Sequence, residues 1–252
     1  MRFFLSLCFW IFLALSSIAL FFGALALWLV TWPFDRNGRV LHLYTCFWGA
    51  LYIYLNPLWR VRVEWAHRPD RKRPYVIVSN HQSFGDILVL DTTYLPFKWV
   101  SKLSVFRVPF IGWNAALNRY VPVVRGDKTS AERMIAACVR WIERGVSVFI
   151  FPEGTRSKDG QIGPFKMGAF IVAHRARCQV LPLVVEGTGE VLPKHGIVLR
   201  HRVDAVVRVL PPIDVSGHTS PEESAQVVRQ AMVDEMERLR AERAARGLRS
   251  AS

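Results

Sequence analysis

The sequence predicts an α/β fold: a single domain with a mostly parallel or mixed central sheet flanked by helices, preceded by an N-terminal membrane helix or helix pair. Three observations predict it. The run from Phe3 to Val30 carries no charge and exceeds the roughly 20 residues needed to cross a bilayer. From Val61 onward, short apolar runs alternate with helix-patterned segments, as they do in α/β domains. At 252 residues the chain can bury one good-sized core, and no repeat, low-complexity tract or Gly/Ser linker divides the body.

Residues 1–59 form the expected anchor. A transmembrane helix spans about residues 3–32. The triplet Ala24–Leu25–Ala26 resembles a signal-cleavage site, but the apolar stretch before it is longer than a usual h-region and only Arg2 precedes it. Arg36 and Arg39 follow the run, so the positive-inside tendency places the large domain on the cytoplasmic face of the membrane. A second apolar stretch, about residues 40–59, contains His42, Asn56 and Pro57 together with Trp and Tyr residues, and reads as a tilted second helix or an interfacial one.

Residues 60–252 form the body. Its candidate strands are Val61–Trp65, Tyr75–Ser79, Lys98–Val100, Arg119–Val123, Val146–Phe151, Val180–Glu186 and Ala205–Val209. Between the fourth and fifth lies a helix with a capping box of Thr129 and Glu132, an apolar stripe of Ile135, Cys138, Val139 and Ile142, and Gly145 as its stop. A final amphipathic helix, about residues 221–246, opens on Ser220 and Glu223 with Pro221 at its first position, and Val228, Met232 and Met236 line one face. The end of the chain, AERAARGLRSAS, is expected to fray.

The formal charge of +13 lies almost wholly after Pro33, and suits nucleic acid, anionic headgroups or a phosphate-bearing substrate. Nucleic acid is set aside, because there is no zinc-finger spacing, RNP-like aromatic motif or Lys/Arg block. Cys8, Cys46, Cys138 and Cys178 form no CxxC pair and read as reduced thiols.

Two stretches carry chemistry. In NHQSFGD, residues 80–86, His81 precedes Asp86 by five positions, which in one regular helix would point the side chains roughly 140° apart. A contact between them therefore requires His81 in the turn before a helix that carries Asp86. A carboxylate on one ring nitrogen fixes the tautomer and leaves the other nitrogen as a general base. The other histidines, His42, His67, His174, His195, His201 and His218, have no comparable setting. Ser83 is near, but no G-x-S-x-G elbow marks it as a nucleophile, so the simplest completion is a hydroxyl brought by the substrate. No HExxH, HxH or Cys pair completes a metal site.

In VFIFPEGTRS, residues 148–157, an apolar strand delivers Glu153, Gly154, Thr155 and Arg156 into a loop, and strand ends in α/β sheets are where ligands bind. Gly154 allows close backbone approach, Arg156 offers a planar fork to a phosphate, and Glu153 could steady that fork or accept from a substrate hydroxyl. Lys102 and Arg125 also follow predicted strands, so the three cations could converge on one anion. Lys166 is expected to be a surface lysine.

Together these blocks resemble the glycerophospholipid acyltransferase family, most nearly its bacterial 1-acyl-glycerol-3-phosphate acyltransferases. The counterparts are NHQSFGD at 80–86, the run from Phe110–Ile111–Gly112 to Val124–Arg125, FPEGTRS at 151–157 and VLPLVVEGT at 180–188. The resemblance covers roughly Trp32 to Ile213. It implies a glycerol-3-phosphate acyltransferase-like fold and a catalytic pair, His81 with Asp86, that activates the hydroxyl of a lysophospholipid acceptor. The donor it implies is an acyl thioester, acyl-CoA or acyl carrier protein, with no cofactor. Lys102, Arg125 and Arg156 would grip the acceptor phosphate, with Glu153, Gly154 and Thr155 shaping the same pocket, and amides near the start of the Asp86 helix could serve the oxyanion. Three alternatives stay open: another lysophospholipid or an aminolipid as acceptor, a membrane-bound thioesterase or lipase using Ser83, and a non-catalytic protein of the lipid surface.

Overall fold

The computed structural model describes residues 2–157, 159–189 and 202–245. Helices α1 (Arg2–Thr31) and α2 (Arg39–Tyr54) precede β1 (Trp59–Trp65), β2 (Val76–Ser79), α3 (Gly85–Asp91) and β3 (Phe97–Lys102). There follow α4 (Ile111–Leu117), β4 (Val121–Val123), α5 (Lys128–Glu143), β5 (Ser147–Ile150), α6 (Gly168–Arg175), β6 (Val180–Glu186), β7 (Val203–Val209) and α7 (Pro221–Ala245). The sheet order is β1-β7-β6-β2-β5-β3-β4. Strands β6, β2, β5, β3 and β4 run parallel, while β7 lies antiparallel to β6 and carries β1 parallel beside it. The sheet is therefore mixed, with a parallel half that holds both motif-bearing strands.

The strands are short apolar runs because both faces of the sheet are covered. Val76, Val78, Val148 and Ile150 face α5, α6 and α7, while the alternate residues Ile77 and Phe149 join the core on the α2 and α3 side. Each of these is nearly inaccessible. The alternation is the two-residue period of a strand, with an apolar residue at every position instead of every other one.

Two expectations, both about helix caps, need correction. Thr129 does not cap α5: Asp127 does, accepting from the Ser130 amide at 3.0 Å, so the box with Glu132 is not formed. Its carboxylate stands two residues earlier, just outside the helix, and competes better for the same free amides. At the start of α7, Ser220 accepts from the Glu223 amide as expected, but Glu223 reaches back to the Thr219 amide at 2.6 Å instead of that of Ser220. Helix α2 ends at Tyr54 and packs on the body. Its Leu41, His42, Cys46, Trp48, Tyr52 and Ile53 are buried. Gly49 lies so close to α3 that an added Cβ would sit 2.2 Å from an Asp91 carboxylate oxygen. An apolar helix with scattered polar groups suits a lipid interface and a protein core equally; here His42 finds its partners in the core, accepting from the Tyr120 hydroxyl at 2.7 Å and donating to the Leu95 carbonyl at 2.9 Å.

In α1, Ser6–Thr31 has a mean hydropathy of 2.3 and is long and apolar enough to cross a membrane. The expected extension of α7 to residue 246 and most of the fraying tail lie outside the described residues, as do His195 and His201.

Candidate active site

The parallel half of the sheet decides where the candidate residues meet. Because β2, β5, β3 and β4 are parallel neighbours, the turns after them all open at one edge. That edge receives His81 after β2, Glu153 to Arg156 after β5, Lys102 at the end of β3 and Arg125 after β4.

The turn after β2 is fixed from its first residue. Asn80 replaces the ladder where β2 leaves β6, donating to the Val185 carbonyl and accepting from the Val185 amide, both at 2.8 Å. Helix α3 begins at Gly85, so His81 stands in the turn and Asp86 in the first turn of the helix, the arrangement the five-residue spacing requires. His81 Nδ1 donates to Asp86 Oδ2 at 2.7 Å. The same oxygen accepts from the amides of Gln82 at 2.6 Å and Ser83 at 3.0 Å, and Oδ1 accepts from the Thr188 hydroxyl. Four donors thus converge on a fully buried carboxylate, which acts as acceptor throughout. The proton on Nδ1 leaves the lone pair of the imidazole on Nε2.

A second carboxylate holds the backbone of the same residue. Glu153 Oε1 accepts from the His81 amide at 2.9 Å and Oε2 from the Gly163 amide at 3.1 Å. Burial pushes the Glu153 carboxyl above its ordinary value, and these two N–H donors oppose the shift. The Ser157 amide donates to the His81 carbonyl at 2.7 Å, and Phe151 stacks on the imidazole with centroids 4.1 Å apart. The ring is therefore held at one edge, on one face and through both of its own peptide groups. Its side chain keeps 13% of its surface exposed.

Each Glu153 oxygen thus accepts from a backbone amide, a positioning contact that the sequence did not suggest. The amides of Gln82, Ser83, Gly85 and Asp86 are likewise engaged within the turn, which removes them as oxyanion donors in this arrangement. Ser83 is fully buried, and its hydroxyl accepts from the Gly85 amide at 3.0 Å, a geometry suited to shaping the turn and not to attack.

The cations are positioned more loosely. Lys102, Arg125 and Thr155 are exposed and Arg156 is half-buried, so what unites the three cations is their common edge. Gly154 has φ of +68°, and a Cβ there would meet Lys166 Cε and Nζ at 3.0 Å. Glycine takes that conformation without strain and leaves Lys166 room to pass. Lys166, set aside in the sequence, therefore crosses the FPEGTRS loop and adds a fourth cation to the edge. Two further supports escaped notice: Thr188 of the loose fourth block, which is bonded to Asp86, and Arg229 of α7, which donates to the carbonyls of Gly163 and Ile162 at 2.9 and 2.7 Å and so braces the segment that holds Glu153. Among the described residues no three His, Cys, Asp or Glu side chains converge as metal ligands.

Comparison with known proteins decides the family. Residues 60–186, half of the chain, match the family model described as Acyltransferase. The chain belongs to the acyltransferase family. A chloroplastic 1-acyl-sn-glycerol-3-phosphate acyltransferase of Brassica napus, BAT2, is 40% identical over 162 residues, 64% of this chain and 46% of that protein. The 1-acyl-sn-glycerol-3-phosphate acyltransferase of Escherichia coli K12 is 31% identical over 175 residues, 68% of this chain and 70% of that one. The chain spans about half the length of the plant and algal relatives it matches. The crystal structure of the 1-acyl-sn-glycerophosphate acyltransferase PlsC of Thermotoga maritima aligns with a TM-score of 0.77 over 96% of this chain and 98% of that one, at 22% identity, a shared fold. Within this acyltransferase the matched segment holds the whole turn from Asn80 to Asp86, the loop around Glu153 and strand β6.

Proposed function

We propose that this acyltransferase moves a fatty acyl group from an acyl-CoA or acyl carrier protein thioester to the sn-2 hydroxyl of 1-acyl-sn-glycerol 3-phosphate, giving phosphatidate. The observation that carries the reading is the 2.7 Å bond from His81 Nδ1 to Asp86, which leaves Nε2 as base while the neighbouring Ser83 hydroxyl is engaged by the Gly85 amide. Nε2 takes the acceptor hydroxyl proton as its oxygen attacks the thioester carbonyl. Collapse of the tetrahedral intermediate breaks the C–S bond, and the imidazolium returns the proton to the leaving thiolate. Lys102, Arg125, Arg156 and Lys166, at the same sheet edge, supply the charge that would hold the acceptor phosphate. The names of the Brassica and E. coli relatives support this acceptor. Helix α1 would anchor the enzyme in the membrane with this domain on the cytoplasmic face, which the Arg36 and Arg39 pair after the apolar run supports.

The test is incubation of the purified enzyme with a panel of lysolipids and both thioester donors, read by lipid mass spectrometry. Phosphatidate should form from lysophosphatidate. His81→Ala should lower turnover by about 10²–10⁴-fold while membrane partitioning stays unchanged, and Ser83→Ala should keep most of its activity. Undiminished turnover by the His81 variant, or an acyl adduct on Ser83, would overturn the mechanism.

A further inference from the structure

The opposite edge of the sheet carries a second concentration of charge that the reaction does not use. Lys98 opens β3, Arg119 precedes β4 and Arg144 precedes β5, so all three lie where the parallel strands begin. They surround one indole: Lys98 Nζ is 5.1 Å from the Trp141 ring centroid, and the guanidiniums of Arg119 and Arg144 are 5.4 and 5.2 Å from it. Arg119 also donates to the Arg36 carbonyl, which draws the segment after α1 into the cluster. Its backbone sits at φ of +54°, a conformation that L residues rarely adopt.

The cluster carries more positive charge than negative: the Asp35 carboxylate acts on both Lys98 and Arg119 without pairing with either. Among the described residues no carboxylate lies within ion-pair distance of Arg36, Arg119 or Arg144. The nearby Asp35 is already engaged, its two oxygens accepting from the amides of Arg39 at 2.8 Å and Val40 at 2.7 Å at the start of α2. All three arginines are exposed, so their charge is open to a ligand.

The same three arginines form one end of a groove of about 1000 Å³. Its other walls are mainly apolar, with Phe21 and Trp28 of α1, Trp32 beyond it, and Trp113 and Leu117 of α4; Asp35 also lines it, its carboxylate held by the α2 amides, so three cations there face one anion. Trp32 and Trp113 are exposed. Tryptophans at the end of an apolar membrane-length helix, followed by arginines, are what a chain places at headgroup depth. A groove that is cationic at one end and aromatic along its length fits an amphiphile with an anionic head.

We propose that this groove binds an intact anionic glycerophospholipid of the surrounding bilayer, its phosphate on Arg36, Arg119 and Arg144 and an acyl chain along Phe21, Trp28 and Trp113. This is a site distinct from the catalytic turn. The six residues of β3 separate the two edges, at about 3.3 Å per residue. The bound lipid ties the end of α1 to the sheet through arginines that have no carboxylate at ion-pair distance among the described residues. The proposal does not depend on which acceptor the catalytic turn uses.

The test uses the full chain in nanodiscs of phosphatidylcholine with a minor share of phosphatidylglycerol, released into native mass spectrometry. The wild type should retain one phosphatidylglycerol in preference to phosphatidylcholine. The double variant Arg119→Gln, Arg144→Gln should bind it about tenfold more weakly or worse, the scale expected for removing two cations beside an anionic headgroup. Ala116→Trp, which leaves the arginines in place and fills the groove from the exposed face of α4, should lose it too. Acyl transfer in neutral detergent should be unchanged in both variants, which shows that they fold. Equal retention by the wild type and either variant overturns the proposal. So does displacement of the lipid by coenzyme A or lysophosphatidate at concentrations that saturate turnover, since the groove would then be a substrate site. Equal competition by glycerol 3-phosphate would also count against it, because the apolar half would then contribute nothing.

Discussion

The two edges of the parallel half-sheet handle charge in opposite ways. Where the strands end, two buried carboxylates, Asp86 and Glu153, have both oxygens of each filled by donors from the chain itself. Where they begin, three cations crowd one indole, and the exposed arginines have no carboxylate at ion-pair distance among the described residues. The first arrangement is complete without a ligand, so its effect is geometric: it fixes one imidazole in one tautomer. The second is incomplete, and its effect is affinity. A polar group that is fully satisfied within the fold positions something; one left unmatched at the surface is available to bind something.

The largest test of that contrast is Asp86→Asn. The amide presents N–H groups where four donors now converge, so buried donors lose their acceptor at about 1–3 kcal/mol each. It also frees the tautomer of His81, and turnover should fall by about 10²–10⁴-fold. Both losses should appear together, in steady-state kinetics and in denaturant unfolding. Wild-type turnover in this variant would separate the pair from catalysis.

Next is Glu153→Gln. One acceptor becomes a donor facing a backbone amide, which shifts His81 without touching a substrate site. The expected result is a fall in kcat of about tenfold to a hundredfold with KM for the acceptor unchanged. A change confined to KM would show that the carboxylate meets the acceptor after all.

The smallest effect on turnover belongs to the other edge. Burial lowers the pKa of Lys98 from 10.5 to about 7. Because the folded value is the lower one, the unfolded chain holds more protons between the two values, and the stability of the wild type should rise as pH rises through that window. Lys98→Met does not titrate. The stability difference between the two should therefore move toward the wild type by up to about 1.4 kcal/mol per pH unit between about pH 7 and pH 10, measured by urea unfolding. A constant difference would mean that the Lys98 ammonium keeps its ordinary value.

Much of this contrast was legible in the sequence at one edge and little at the other. His81 and Asp86 could be paired because they are five residues apart, and local geometry permits few ways for them to meet. Strands β2, β5 and β6 were legible because a sheet covered on both faces writes itself there as short, mostly unbroken apolar runs. The work of Glu153 and Thr188 was not, since each reaches the catalytic turn across 72 and 102 residues respectively. The cap of α5 was misplaced because Asp127 and Thr129 both precede the same helical pattern, and only the backbone decides between them. Lys98 was hidden for another reason: a lysine in an apolar strand reads as an edge, and only the tertiary packing of Trp141 and Asn118 shows it to be interior.

The placement of β1 bears on how the chain assembles. It leaves α2 directly, yet its ladder partner is β7, with Glu64 and Arg208 in ion contact at a separation of 144 residues. Such distant pairing is slow to form, and until it does the first strand presents an unpaired rim. If α1 anchors the enzyme as proposed, it would enter lipid well before the last strand leaves the ribosome. Closure of the sheet would then take place with one end of the molecule already tethered.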